Sequence, residues 1–128
     1  MPITTSNPEG VHKPASRYSH AALVTGGGRR LAISGQIGMT ADGEVPDTSA
    51  AQMDVALANI GIILKAHGMA PSNLVRLNVF LLSAECIKVW RVRREEFLAG
   101  HAPASTLLLI SGLADPRLMV EIEAEAAD

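Results

Sequence analysis

Leu118-Met119-Val120-Glu121-Ile122-Glu123-Ala124-Glu125-Ala126 alternates apolar and acidic side chains without a break from Val120 onward. Successive side chains of a β-strand point to opposite faces, so Val120, Ile122, Ala124 and Ala126 line one face of a sheet and Glu121, Glu123 and Glu125 the other. A second stretch, Leu74 to Leu82, has the same period: Val75, Leu77, Val79 and Leu81 point one way, and Arg76, Asn78 and Phe80 the other. Two strands with one apolar and one mixed face call for helices on a single side of the sheet, which is the arrangement of an α+β domain.

The helices lie between the strands. After Gly43 and Pro46, Ser49 followed by Gln52 fits a capping box, with Asp47 and Thr48 as further acceptors. Met53, Leu57, Ile60 and Leu64 then recur at helical spacing, Ala56 and Ile63 widen the stripe, and Gly68 stands where a left-handed residue ends a helix. His67 in the last turn complements the helix dipole. A second helix is expected from Ala84 to Leu98, its last turn reaching Gly100. Further strands are expected at Tyr18 to Thr25, Leu31 to Ser34 and Thr106 to Ser111. Gly26, Gly27 and Gly28 join the first two as a hairpin turn, because a phosphate-binding loop would lead into a helix and a strand follows here. Residues 1–16, rich in Pro, Ser and Thr, read as an irregular arm. The predicted order is ββ, α, β, α, ββ in one domain spanning residues 1–128.

Composition sets the outer limits. A chain of 128 residues fits one core. With 48% hydrophobic residues, a mean hydropathy of +0.21 and only 3% aromatics, that core is aliphatic. A net charge of −2 offers no positive field for phosphates, which argues against nucleic acid as a partner. No basic segment followed by an apolar one opens the chain, and no run approaches ~18 apolar residues, so neither a signal peptide nor a membrane span is expected. The lone Cys86 points to a reducing, cytoplasmic setting. His12, His20, His67 and His101 lack metal-ligand spacing, and no histidine stands near Cys86, so no metal or cofactor is expected. Arg91, Arg93 and Arg94 are followed at once by Glu95 and Glu96, the pattern of a salt-bridged helix face. The glutamate face of the last strand has two readings, a solvated surface or one covered by another subunit. Two helices cover only one side of the sheet, and a chain this apolar has little reason to leave the other side bare.

Six pieces in register, Ile33-Ser34-Gly35-Gln36-Ile37, Gly43-Glu44-Val45-Pro46, Ala66-His67-Gly68, Asn78-Val79-Phe80, Pro103-Ala104-Ser105-Thr106 and Val120-Glu121-Ile122-Glu123-Ala124, together resemble the RidA/YjgF family over Tyr18 to Ala126. The resemblance implies a chorismate-mutase-like fold: a mixed sheet with two helices on one face, assembled into a homotrimer around a central β-barrel. It also implies small-molecule clefts between subunits and a cofactor-free enamine/imine deaminase activity that yields 2-oxo acids and ammonia. Carried over residue by residue, Glu121 matches the acidic residue that orders the water and is the catalytic candidate. Tyr18 matches the aromatic lining the cleft, and Ser34 and Gly35 match its floor. Thr106 follows the clamp position, Trp90 stands by approximate alignment where an asparagine often lines the cleft or else fills the core or an interface, and His101 is a further candidate. Family deaminases read Pro-Ala-Arg-Ser where this chain reads Pro-Ala-Ser-Thr, so Ser105 replaces the arginine whose planar fork grips a carboxylate. The expected substrate is therefore an imine, enamine or related metabolite other than a simple 2-imino carboxylic acid. The alternative is a non-catalytic metabolite-binding or chaperone-like trimer using the same clefts. The ribonuclease activity sometimes attached to the family gains nothing from this sequence.

Overall fold

The computed structural model describes residues 3–14 and 19–128. Its strands are β1 (Ile3–Ser6), β2 (Ala21–Val24), β3 (Arg30–Ile37), β4 (Leu74–Leu81), β5 (Ala104–Leu109) and β6 (Val120–Ala127), with helices α1 (Ser49–Ala66) and α2 (Cys86–Leu98). One six-stranded sheet runs in the order β1-β2-β3-β6-β4-β5, and every neighbouring pair is antiparallel except β4 and β5. Because β3 and β4 both run antiparallel to the β6 between them, β3-α1-β4 and β4-α2-β5 are parallel crossovers stepping in the same direction. Crossovers of one hand taken in one direction lay their helices on the same face. This is the expected mixed-sheet α+β domain.

The alternation in β6 decides which face is buried. Val120, Ile122, Ala124 and Ala126 lie in the core with Leu31, Ile33, Leu77, Val79 and Leu81 from the neighbouring strands. From α1 come Met53, Ala56, Leu57, Ile60, Ile63 and Leu64, the stripe expected from its spacing. Gly26, Gly27 and Gly28 all have positive φ, as the hairpin turn between β2 and β3 requires. Gly68, with φ 69°, ends α1, and the His67 ring packs on the last turn with Nδ1 2.8 Å from the Ile63 carbonyl oxygen.

Four expectations are corrected. The arm of residues 1–16 is not wholly irregular: β1 pairs with β2, a long-range contact that local composition does not encode. Thr48, not Ser49, caps α1, its Oγ1 accepting from Ala51 N at 3.2 Å. Gln52 closes no capping box, since its Nε2 donates to Pro46 and Arg117 carbonyls and its Oε1 accepts from Met119 N. Val75 is 46% exposed because a register shift between Leu74 and Arg76 turns Leu74 inward in its place. α2 begins at Cys86 instead of Ala84 and ends on left-handed Ala99.

Candidate active site

Glu121 stands on the face of the sheet away from the helices, flanked by Ile37 of β3 and Phe80 of β4. The sheet accommodates it through an irregularity in β3, where the register with β6 shifts between Ile33 and Gln36. Gly35 sits inside that bulge and leaves its side-chain space to the glutamate: a Cβ built on Gly35 would lie 2.7 Å from Cδ and 2.9 Å from Cγ of Glu121. Ser34, the other bulge residue, is tied down by its backbone N–H to the His20 carbonyl at 2.8 Å and by its Oγ, which donates to the Ser19 carbonyl at 2.6 Å. Ser34, Gly35 and Glu121 thus form one cluster.

Burial raises the proton affinity of the Glu121 carboxyl, and the neighbouring Glu123 charge raises it further. Glu123 itself accepts from Asn78 Nδ2 at 2.8 Å, and Glu125 lies 3.9 Å from Arg30. Among the described residues Glu121 takes part in no ion pair. A half-buried carboxyl held this way can take a proton from a water molecule and return it closer to neutral pH than an ordinary glutamate can.

The remaining candidates are placed elsewhere. Ser105 pairs with Leu77 and Thr106 with Asn78 across the parallel β4–β5 ladder. Because Leu77 faces the core, Ser105 falls on the helix side of the edge strand, whereas Thr106 falls on the side of Asn78 and Glu121. Two strand spacings and three residue steps separate Ser105 from Glu121, roughly 14 Å between Cα atoms, on opposite faces. One chain therefore does not bring the clamp position and the carboxylate together. Trp90 is 1% exposed inside the core on the helix side, so within the chain it fills space under α2 and lines no cleft. Among the described residues Trp90 is the one fully buried large aromatic of the core, with Phe97 packed partly buried against that core. His101 holds the start of β4, its Nε2 2.8 Å from the Leu74 carbonyl oxygen. Tyr18 lies outside the described residues.

Among the described residues no group of three or more His, Cys, Asp or Glu could hold a metal ion, and no helix is long and apolar enough to cross a membrane. Arg29, Arg30, Arg93, Arg94 and Arg117 all have acidic partners, while Arg76 stands exposed on the Glu121 face opposite Ala104.

The Endoribonuclease L-PSP family model matches residues 9–128. The chain is 36% identical over 111 residues to a 2-iminobutanoate/2-iminopropanoate deaminase of Bos taurus, covering 85% of this chain and 78% of that protein. It is 27% identical over 128 residues to Protein HMF1 of Saccharomyces cerevisiae, covering 97% and 95% respectively. The crystal structure of RidA from the Antarctic bacterium Psychrobacter sp. PAMC 21119 superposes with a TM-score of 0.89 at 25% identity, over 98% of this chain and 99% of that one.

Proposed function

Because the chain belongs to the Endoribonuclease L-PSP family, the RidA/YjgF family, we propose that it is a hydrolase of C=N bonds in small imines or enamines other than simple 2-imino carboxylic acids. The observation that carries this reading is Glu121, half-buried over Gly35 and with its proton affinity raised. In the proposed reaction the carboxylate takes a proton from water as the oxygen bonds to the imine carbon. The C=N π pair moves to the nitrogen, which takes that proton to give a carbinolamine; the carbinolamine hydroxyl then gives up its proton, carried by the carboxylate to the nitrogen, as the C–N bond breaks and a carbonyl compound and ammonia leave. Ser34 and Gly35 form the floor beneath the reacting carbon, and Thr106 lies on the same side of the sheet.

Ser105 sets the substrate class. A hydroxyl replaces a charge-assisted fork worth roughly 1.5–3 kcal/mol, about one to two decades in the capture of an anionic substrate. The separation of Ser105 from Glu121 within one chain supports a cleft shared by two subunits, each supplying one half, as in the homotrimer that the resemblance implies. The same substitution favours the second reading, a trimer that binds a metabolite in these clefts without turning it over. Ribonuclease activity, which the family's descriptive name suggests, is not part of the proposal, since the face that would meet phosphates carries Glu121, Glu123 and Glu125.

The test is 2-oxo acid and ammonia release from 2-iminobutanoate generated in the cuvette by a pyridoxal-phosphate enzyme, run beside the Bos taurus relative and a panel of uncharged imines. Wild type is expected to be at least about tenfold slower than the relative on 2-iminobutanoate. Ser105→Arg should recover activity on that substrate, and Glu121→Gln should remove activity on any substrate. A Ser105→Arg protein that binds a 2-oxo acid and remains inactive, with no imine in the panel hydrolysed by wild type, would favour the binding protein.

A further inference from the structure

A chain of buried polar groups leads away from the bulge that carries Gly35. Gln36 and His20 are both fully buried, and His12 is 5% exposed beside them. Gln36 Nε2 donates to the Ser34 carbonyl oxygen at 3.1 Å and lies 3.0 Å from His20 Nδ1. An amide N–H2 can only donate, so Nδ1 is the acceptor and the His20 proton sits on Nε2, which donates to the His12 carbonyl oxygen at 2.7 Å. The His20 backbone is fixed as well: its N–H donates to Asn7 Oδ1 and its carbonyl accepts from Ser34 N. The His12 and His20 rings meet edge to face with centroids 5.0 Å apart.

This arrangement costs the fold polar groups that are buried without full pairing. Gln36 Oε1 and His12 Nδ1 are both inaccessible and without a hydrogen-bond partner among the described residues. A core position on an interior strand is ordinarily filled by an aliphatic side chain, which would leave no such atoms. Gln36 instead spends its amide on the Ser34 carbonyl, one residue from Gly35, and Gly35 is the surface on which the Glu121 side chain rests.

We propose that His20 and Gln36 are positioning residues for Glu121: by holding the Ser34 N–H and carbonyl of the bulged strand they set the height of Gly35 and so the seat of the carboxylate. The inference rests on the reading of Glu121 as the water-ordering group, and it adds a control on that group from the segment before β2. The charged group acting on Glu121 is Glu123 on its own strand; β3 and β4 present Gly35, Ile37 and Phe80 beside it. A change in its titration on altering Gln36 therefore reports a change of seat, not of a neighbouring charge.

The experiment is a carboxyl 13C NMR titration of Glu121, assigned by loss of its signal in Glu121→Gln, in full-length wild type, Gln36→Met, His20→Leu and His20→Asn. Melting curves check that each variant folds. Gln36→Met keeps size and removes the amide, and the Glu121 midpoint is expected to fall toward that of an ordinary glutamate as the bulge relaxes and water reaches the carboxyl. His20→Leu should act in the same direction. His20→Asn, whose Oδ1 can accept from Gln36 as Nδ1 does, should keep the midpoint near wild type. With a turned-over imine, Gln36→Met should lose kcat on the order of 10- to 100-fold with little change in KM, as expected for a displaced reacting group. An unchanged midpoint in folded Gln36→Met, or equal midpoints in folded His20→Leu and His20→Asn, would overturn the proposal. Shifted midpoints in a protein that hydrolyses nothing would leave it standing and count against the hydrolase reading alone.

Discussion

Glu121 is half-buried over Gly35 with Glu123 on the same face, and its carboxyl holds its proton to higher pH than an ordinary glutamate. For such a group the linkage runs in one direction. The stabilisation associated with the protonated form is fully present below the unfolded pKa near ~4.3 and is lost as pH rises through the higher folded value. Glu121→Gln should therefore raise the melting temperature at pH 7, where wild type has to ionise a partly desolvated group, and should leave it unchanged at pH 3. Equal melting temperatures at both pH values would show that the carboxylate is not strained by its seat. The glutamate itself was legible in the sequence because a period of two fixes its face. Its seat was not, since Gly35 signals a bulge in the strand but not which side chain, here one on β6, fills the space it leaves. Trp90 lies in the core, the role that its volume and the scarcity of other aromatics made at least as open as the cleft position that alignment suggested.

At the scale of elements, α1 comes tightly against the chain leaving β3 at Gly38. A Cβ there would lie 2.6 Å from the Cα and 2.7 Å from the Cγ of Gln52, and the first of these is backbone that cannot turn aside. Gln52 is also the knot of this corner, joining α1 to Pro46, Arg117 and Met119 through three hydrogen bonds. Gly38→Ala is expected to destabilise the domain by about 1–3 kcal/mol through overpacking, seen as a lower urea midpoint with an unchanged slope. A midpoint within error of wild type would mean that α1 can shift outward without loss. The helix was readable from its apolar stripe, but the role of Gln52 was not: a glutamine three residues after a serine satisfies the local capping pattern, and only the fold brings residues 117–119 to it.

For the whole molecule, the face of the sheet away from the helices carries Arg76, Asn78, Phe80, Thr106 and the three glutamates, and the edge strand β5 exposes Leu108 and Leu109 at 49% and 51%. An edge strand with exposed leucines is a site for association unless it is covered. Light scattering is expected to give three times the 13.5 kDa of one chain, and Leu108→Asp should shift the population toward monomer with loss of any cleft activity. A stable species of one chain mass for wild type would remove the shared cleft from the proposal.

The sequence alone determined the α+β class, the inward face of β6 and that of β4 from Leu77 to Leu81, the extent of α1 and the family, because each rests on periodicity or on motifs contiguous in the chain. The tertiary structure decided what depends on residues far apart. It recruited β1 from an arm that looks irregular, bulged β3 so that Gly35 makes room for Glu121, and turned Ser105 and Glu121 to opposite faces of one sheet. Side-chain period is a local property of a strand. Register, and with it which side chains meet, is set by pairing between strands that the chain visits tens of residues apart.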